Sequence, residues 1–433
     1  MTNNSGPIGL PRPDRIRWLF ITFGFLATVL NYVHRLSFNY LSAEGELRGI
    51  ISDEAFGYIG TAFFVAYTIS NAVSGYVIDK LGTKLGYALV MAFWTTAGLF
   101  HAFVITPFQF GIVRFMLGMG EAGNWPAGTK LAREWFPPHE RSTAMGIFNS
   151  GSALGAVVVA PLVAILGVSF GWRATFVILG ALGYIWLVAW WFTYYTPEQS
   201  GKDIKKIKDK VISPVILFKT RFLARFTLSK VFLDPVWYFV TFWIGRYLVD
   251  VHGWNLKQIG WFAALPFIIA DIGNIAGGYF TQFIIKKGVP IPKARMLALN
   301  LSVGIMAVTL LAAPFITHSP MTALIIFGFT GFGYTSYTAN ALAVPSDVVP
   351  SSATATVWGL ACIGTGFGGA IFQSVSGLTL KAMTVNHDYA SSYDVLFIMF
   401  GVMAVIGMII QSTMGPLVKN KTLEEYVKSN VEH

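Results

Sequence analysis

The apolar residues of this chain fall into runs of about 20, separated by short polar stretches that hold most of the charge. Twelve runs are read, at 17–41, 55–79, 85–106, 108–132, 142–167, 172–195, 222–249, 257–286, 294–316, 320–346, 352–381 and 392–415. Each is long enough to cross a bilayer as a helix, and none shows the short alternating segments of a barrel strand. The pattern predicts an all-α polytopic membrane protein with twelve transmembrane helices.

The loops sort by charge. One set carries Lys80 and Lys84, then Lys130, Arg133 and Arg141, then Lys202, Lys205, Lys206, Lys208 and Lys210, then Lys286, Lys287, Lys293 and Arg295, and finally Lys419, Lys421 and Lys428. The opposite set holds Glu44, Glu46, Asp53, Glu54, Asp250, Asp388 and Asp394. Basic loops stay on the cytoplasmic side, so both termini are expected there. The lysine-rich stretch 196–221 reads as a cytoplasmic linker between a six-helix half at 1–195 and another at 222–415, with a cytoplasmic tail at 416–433. A weak repeat joins the halves: Gly57, Ile69, Asn71, Gly75 and Tyr76 recur as Gly260, Ile272, Asn274, Gly278 and Tyr279. Two pseudo-symmetric six-helix halves imply a central cavity and alternating access.

Composition agrees. Of 433 residues 54% are hydrophobic and only 12% charged, against about 25% charged in soluble domains. The net charge of +10 would point to nucleic acid in a soluble protein; here loop topology accounts for it, and no nucleic-acid partner is expected. The single cysteine, Cys362, excludes an intramolecular disulfide and reads as packing. Arg12, Arg15 and Arg17 precede the first apolar run as they would in a signal peptide. That run is too long, lacks a small-residue cleavage site and ends in His34–Arg35, so it is read as a retained helix.

Two charges break the fourth run. Arg114 and Glu121 are seven residues apart, on one face of a helix and about 10 Å apart along its axis. Gly118 lies on the same stripe and is expected to open space beside it. A charge at bilayer depth is costly and normally faces a polar cavity with a function. A cation, a gap and a titratable acid on one stripe predict an anion site coupled to a proton. An anion held by the arginine would weaken its pull on a charged Glu121, so proton and anion would bind cooperatively.

Several strings carry a family resemblance. Gly75-Tyr-Val-Ile-Asp79-Lys80-Leu-Gly82-Thr83-Lys84 resembles the signature loop of the major facilitator superfamily, with Thr83 a departure. The run from Arg114 through Gly118, Glu121, Trp125 and Pro126 to Lys130, with Glu134-Trp-Phe-Pro, Glu140-Arg141-Ser and Phe148-Asn149-Ser-Gly-Ser152, resembles the anion:cation symporter family. Arg225-Phe226, Asp234-Pro235-Val-Trp237-Tyr238, Phe242-Trp243 and Ala270-Asp271-Ile-Gly-Asn274 are similar to its hexuronate and sugar-acid branch.

The resemblance implies a major facilitator fold and a secondary transporter, not an enzyme. It implies that Asp79, Lys80, Lys84 and Arg141 take part in gating. Arg35 and Arg114 each offer a planar fork that matches a carboxylate, and Glu121 is the expected proton carrier. The family's N-Y-x-D-R element stands here as Asn31-Tyr32-Val33-His34-Arg35, so His34 replaces an acid. His34 either titrates in its place or is a neutral hydrogen-bonded histidine, with Glu121 alone carrying the proton. Candidates for substrate hydroxyls are Tyr32, Tyr67, Asn149, Ser152, Tyr238, Tyr337 and Asn340, with Trp237 and Trp243 for stacking; packing is the competing reading for each. Asp234 and Asp271 are expected to be buried, with Arg225 or Lys230 pairing Asp234. Asp347 and Pro350 are placed in the loop after span ten. Where the branch has W-L-P, this chain has Trp243-Ile244-Gly245-Arg246, which is expected to straighten span seven.

The function expected is import of a sugar acid, a hexuronate or an aldonate, by proton symport across the inner membrane of a bacterium. The protein is expected to act as a monomer, with no cofactor or metal; Na⁺ is the alternative coupling ion. Another organic anion, a dicarboxylate or aromatic acid, is the nearest alternative. A membrane acyltransferase would need a catalytic histidine motif, and neither His34 nor His101 lies in one.

Overall fold

In a computed structural model the protein is described over residues 13–137, 140–197, 199, 220–349, 354–385, 388–415 and 417. The lysines of the expected linker, Pro350 and nearly all of the expected tail lie outside the described residues. The helices among the described residues are α1 (Pro13–Leu41), α2 (Gly45–Ile50), α3 (Asp53–Phe100), α4 (Pro107–Glu121), α5 (Asn124–Trp135) and α6 (Arg141–Thr193). They continue with α7 (Arg221–His252), α8 (Leu256–Phe262), α9 (Leu265–Lys286), α10 (Ile291–Ile316) and α11 (Pro320–Ala341). The last three are α12 (Val344–Val348), α13 (Thr354–Met383) and α14 (Tyr389–Ser412).

Two helices each carry two of the apolar runs. α3 turns at Gly82 (φ 79°, ψ 163°) and α6 at Gly171 (φ 79°, ψ 168°), a conformation open to glycine because it lacks a Cβ. At Gly82 the chain doubles back. A Cβ on Gly86 would stand 3.0 Å from the Ile78 Cα, whereas eight residues of straight helix span about 12 Å.

Two other runs, read as single spans, are broken by proline. Pro126 lacks an N–H and its ring excludes the carbonyl four residues back, that of Ala122, so α4 ends at Glu121 and α5 begins at Asn124. Pro266 acts likewise on Phe262, which is the last residue of α8. The expected continuous span at 108–132 is therefore two helices. The carbonyls released at the first break are taken up by side chains: Asn31 Nδ2 donates to that of Glu121 (3.4 Å) and Ser74 Oγ to that of Ala122 (3.5 Å).

The chain divides into two compact units, Met1–Ile207 with Asn255–Trp261, and Lys208–Trp254 with Phe262–His433. In the first, α3 packs on α4 and α1 on α6; in the second, α9 packs on α11 and α7 on α13. These pairings correspond under the repeat. So do two helix starts, since Thr106-Pro107 with Gln109 and Ser319-Pro320 with Thr322 form the same capping box on α4 and α11.

Glycines set how closely the helices approach. Gly118 does not leave a gap: a Cβ there would meet the Phe63 carbonyl oxygen at 2.4 Å, so the position is filled by the backbone of α3. Gly118→Ala is expected to cost about 1–3 kcal/mol through overpacking. Gly146 has nothing within 4 Å of its would-be Cβ, and Gly146→Ala should stabilise α6 by up to about 1 kcal/mol. Thermal unfolding of the purified protein in detergent should show opposite shifts for the two; shifts of the same sign would overturn this reading of the α3–α4 contact.

Large apolar side chains face outward, with Phe192 83% and Phe108 78% exposed, which is what lipid covers. Five stretches of the described residues are long and apolar enough to span: Ile16–Leu41, Thr143–Thr193 with its turn at Gly171, Leu256–Lys286 across the α8–α9 break, Ile291–Ile316 and Tyr389–Ser412. α4, with 15 residues, is too short, and it carries Arg114 and Glu121.

Candidate functional site

Arg35 is one turn after Asn31 on α1, which places both side chains on one face. Arg35 Nη2 donates to Asn31 Oδ1 (3.1 Å) and Nε donates to Glu121 Oε2 (2.8 Å). Asn31, by holding the Glu121 carbonyl, closes a ring between α1 and the end of α4. Glu121 is fully buried, Arg114 is 1% exposed and Arg35 8%. The rings of Tyr32 (4.9 Å), Tyr67 (4.9 Å) and Phe63 (5.3 Å) lie around the Arg35 guanidinium carbon.

Arg114 and Glu121, two turns apart on α4, are not bonded to each other. Glu121 bonds Arg35 across helices, while Arg114 Nη1 donates to the Arg35 carbonyl (2.8 Å) and its guanidinium lies 4.3 Å over the Phe38 ring. Shared helix face allowed an Arg114–Glu121 pair, but two turns leave the carboxylate nearer to α1. Arg114 Nε and Nη2, which form one edge of its fork, have no hydrogen-bond partner, and neither does Glu121 Oε1. The first unit thus holds buried donors and a buried acceptor together, both unused. Buried polar groups are nearly always bonded, so such atoms mark a place for a ligand or proton.

His34 is not brought to this cluster. Its Nε2–H donates to the Leu179 carbonyl (3.0 Å), and a Cβ on Gly98 would lie 3.5 Å from its Nδ1. Adjacent helix positions point about 100° apart, so His34 faces α3 and α6 while Arg35 faces α4.

The other predicted residues divide. Tyr32 and Tyr67 flank Arg35. Asn149 and Ser152 are half-buried on α6, and the Ser152 hydroxyl donates within the helix to the Asn149 carbonyl (2.7 Å). Trp237 is half-buried: Tyr334 lies parallel to it (5.9 Å, 17°) and Gly331 lies against its edge. Trp243 is 1% exposed and donates to Gln373 Oε1 (2.9 Å). Tyr238 lines a narrow crevice with Gln373 and Ser376. Tyr337 is fully buried beside Lys230.

Asn340 is fully engaged. It accepts from Thr281 Oγ1 (2.6 Å) and Arg295 Nη1 (3.4 Å), and donates to the carbonyls of Gly277 (3.1 Å) and Ser336 (3.0 Å). Asn340→Ala should lower thermal stability by about 1–3 kcal/mol and leave substrate affinity of the folded fraction unchanged. A several-fold affinity loss without loss of melting temperature would make Asn340 a substrate ligand instead.

The loop residues form separate contacts. Asp79 pairs with Lys130 (3.2 Å), whose ammonium also donates to the Ile78 carbonyl (2.9 Å). Lys84 lies 5.3 Å over Trp191, Lys80 is exposed, and Arg141 donates to the carbonyls of Phe136 and Arg133 (both 3.1 Å), capping the end of α5. Thr83, the departure from the signature, is buried and donates to Glu134 Oε2 (2.7 Å).

Lys230, not Arg225, pairs with Asp234. Asp271 is half-buried rather than buried. Asp347 pairs with Arg295 (3.0 Å). α7 runs without a break through Gly245, and Arg246 is fully buried. Asn31, Phe63 and Phe38 were not singled out from the sequence; only the Asn31/Arg35 spacing offered a signal.

The profile of the Major Facilitator Superfamily matches residues 18–373. The chain belongs to the major facilitator superfamily. It is similar to a hexuronate transporter of Escherichia coli (strain K12), with 31% identity over 84% of this chain and 87% of that protein. It is also similar to a galacturonate transporter of Dickeya chrysanthemi, with 32% identity over 63% of this chain and 83% of that protein. Among solved structures it superposes on a bacterial homologue of the human lysosomal transporter Spinster (TM-score 0.77, 18% identity, 92% of this chain and 98% of that one). It also matches a D-xylose-proton symporter (TM-score 0.70, 14% identity, 93% of this chain and 98% of that one). This major facilitator protein is a multi-pass membrane transporter with sugar-acid transporters as relatives, and it is not an enzyme.

Proposed function

We propose that this protein imports a sugar acid, a hexuronate or an aldonate, by proton symport with alternating access between two six-helix halves. The observation that carries the reading is the unpartnered fork edge of Arg114 beside a Glu121 carboxylate with one unpartnered oxygen. Two arginines against one carboxylate leave the cluster one positive charge in excess. A substrate carboxylate on the Arg114 fork cancels that excess, and a proton on Glu121 restores it. The loaded, protonated site and the empty, deprotonated site therefore carry the same charge, so neither state faces the cost of an added buried charge. One monoanion moves with one proton, and a membrane potential does not drive it.

The names of the relatives support the substrate class, and the flanking Tyr32 and Tyr67 hydroxyls suit a polyol. The basic loops support placement in the inner membrane with both termini, the linker at 196–221 and the tail in the cytoplasm. Asp79, Lys80, Lys84 and Arg141 are gating residues in this reading, and the monomer is the working unit.

Uptake into proteoliposomes tests it, with imposed pH or Na⁺ gradients and a panel of hexuronates, aldonates, dicarboxylates and aromatic acids. Saturable, pH-gradient-driven uptake of a hexuronate or aldonate is expected. Uptake of none of these, or uptake driven only by Na⁺, would overturn the substrate class or the coupling ion respectively.

A further inference from the structure

The second unit contains a buried charge cluster of its own. Lys230 and Asp234, one turn apart on α7, form an ion pair (2.9 Å) with side chains 3% and 1% exposed. Thr365 Oγ1 on α13 donates to the same oxygen, Oδ2. The ammonium is enclosed by the rings of Trp358 (4.8 Å), Tyr337 (5.8 Å) and Phe226 (5.9 Å). α13 is held close to α7 by two glycines: Cβ atoms at Gly364 and Gly368 would meet the carbonyl oxygens of Thr227 and Val231 at 2.1 and 2.3 Å. The pair is thus fixed from both helices. The other carboxylate oxygen, Asp234 Oδ1, is buried and accepts no hydrogen bond.

A buried charge that is paired on one side and empty on the other needs a donor. Charge balance decides which kind. A proton on Asp234 would neutralise the carboxylate and leave the Lys230 ammonium uncompensated in an aromatic enclosure. A second carboxylate would be repelled by Asp234. A neutral hydroxyl satisfies Oδ1 and changes no charge.

We propose that Asp234 Oδ1 accepts a hydroxyl of the transported sugar acid, so that Lys230, Asp234 and Thr365 form a polyol-recognition site in the second unit. The inference rests on the sugar-acid reading above. Oδ1 has no solvent contact in this structure, so the bond forms in a state where the surrounding side chains have turned aside. Lys230 and Thr365 act as positioning residues: they hold the carboxylate charged and leave one oxygen for the substrate.

The test uses full-length protein in proteoliposomes and counterflow of labelled D-glucuronate, D-galacturonate or D-galactonate, competed by the parent acid and by its monodeoxy analogues. In the native protein one deoxy analogue should compete about 10- to 100-fold less well than the parent, the range for a hydrogen bond to a charged group. In Lys230→Met/Asp234→Leu the parent acid should itself compete about 10- to 100-fold less well than in the native protein, so that parent and analogue fall within about twofold of each other, while the melting temperature is kept, since a buried ion pair exchanged for apolar side chains is often neutral for stability. Lys230→Gln/Asp234→Asn keeps an uncharged acceptor and should retain a reduced discrimination. If the first variant does not fold, the second decides alone, by a fall of about tenfold. Unchanged discrimination in whichever variants fold would overturn the proposal. Native protein that transports none of the three acids would overturn the sugar-acid reading, and this inference with it.

Discussion

Glu121→Gln is expected to abolish uphill accumulation while leaving exchange across the membrane. A one-to-one symporter of a monoanion sustains about a tenfold concentration ratio per unit of pH gradient, since one pH unit is about 1.4 kcal/mol. In the variant the ratio should fall to about one, whatever gradient is imposed. The reason is local. Arg35 Nε–H needs an oxygen acceptor at 2.8 Å, and a glutamine side-chain oxygen supplies one. Glutamine holds no exchangeable charge, so loading the anion no longer requires a proton. Removing the side chain altogether would be a poorer test, because an unpaired buried arginine costs about 3–5 kcal/mol and the protein would lose its fold along with its coupling. Counterflow of labelled substrate should remain within several-fold of the native rate. Normal gradient-driven accumulation by Glu121→Gln would remove Glu121 from the coupling step, and His34, bonded to Leu179, would become the residue to test next.

Arg114→Lys should lower kcat/KM for uptake about 100-fold with little loss of stability. Both side chains are cations, so the long-range attraction for an anion is preserved. What disappears is the planar edge: Nε and Nη2 are the unpartnered donors, while Nη1 is already spent on the Arg35 carbonyl. A lysine ammonium is a point donor and cannot serve both the carbonyl and a bidentate carboxylate. Retained uptake within twofold of native would mean that the carboxylate binds elsewhere and that Arg114 serves only to tie α4 to α1.

Much of the fold was legible because membrane helices advertise themselves. Apolar length and loop charge are local properties, and they place the helices without reference to neighbours. The breaks at Ala122 and Phe262 were local too, written in Pro126 and Pro266, but the span-like length of each run concealed them. The site was legible in its members and not in its bonds. Arg35, Arg114 and Glu121 stand out because charge in an apolar run is costly. Which of them meet depends on helix rotation and approach, and these are decided by contacts such as Gly118 on the Phe63 carbonyl. The same limit explains the aromatic and amide candidates. Asn340 looks available on a helical wheel, and it is consumed by helix neighbours, while Trp237 is covered in part by Tyr334.

From its sequence alone, this protein is a twelve-helix transporter-like membrane protein with two arginines and an acid in its first half, because hydropathy, helix breakers and isolated charges act within a turn or two of where they occur. The tertiary structure alone decided that Glu121 joins Arg35 and not Arg114, that the Arg114 fork is left unfilled, and that Thr365 of α13 bonds one oxygen of Asp234 while the other is left open. Those are relations between helices far apart in the chain, and no periodicity along a single helix encodes the rotation that brings one face against another.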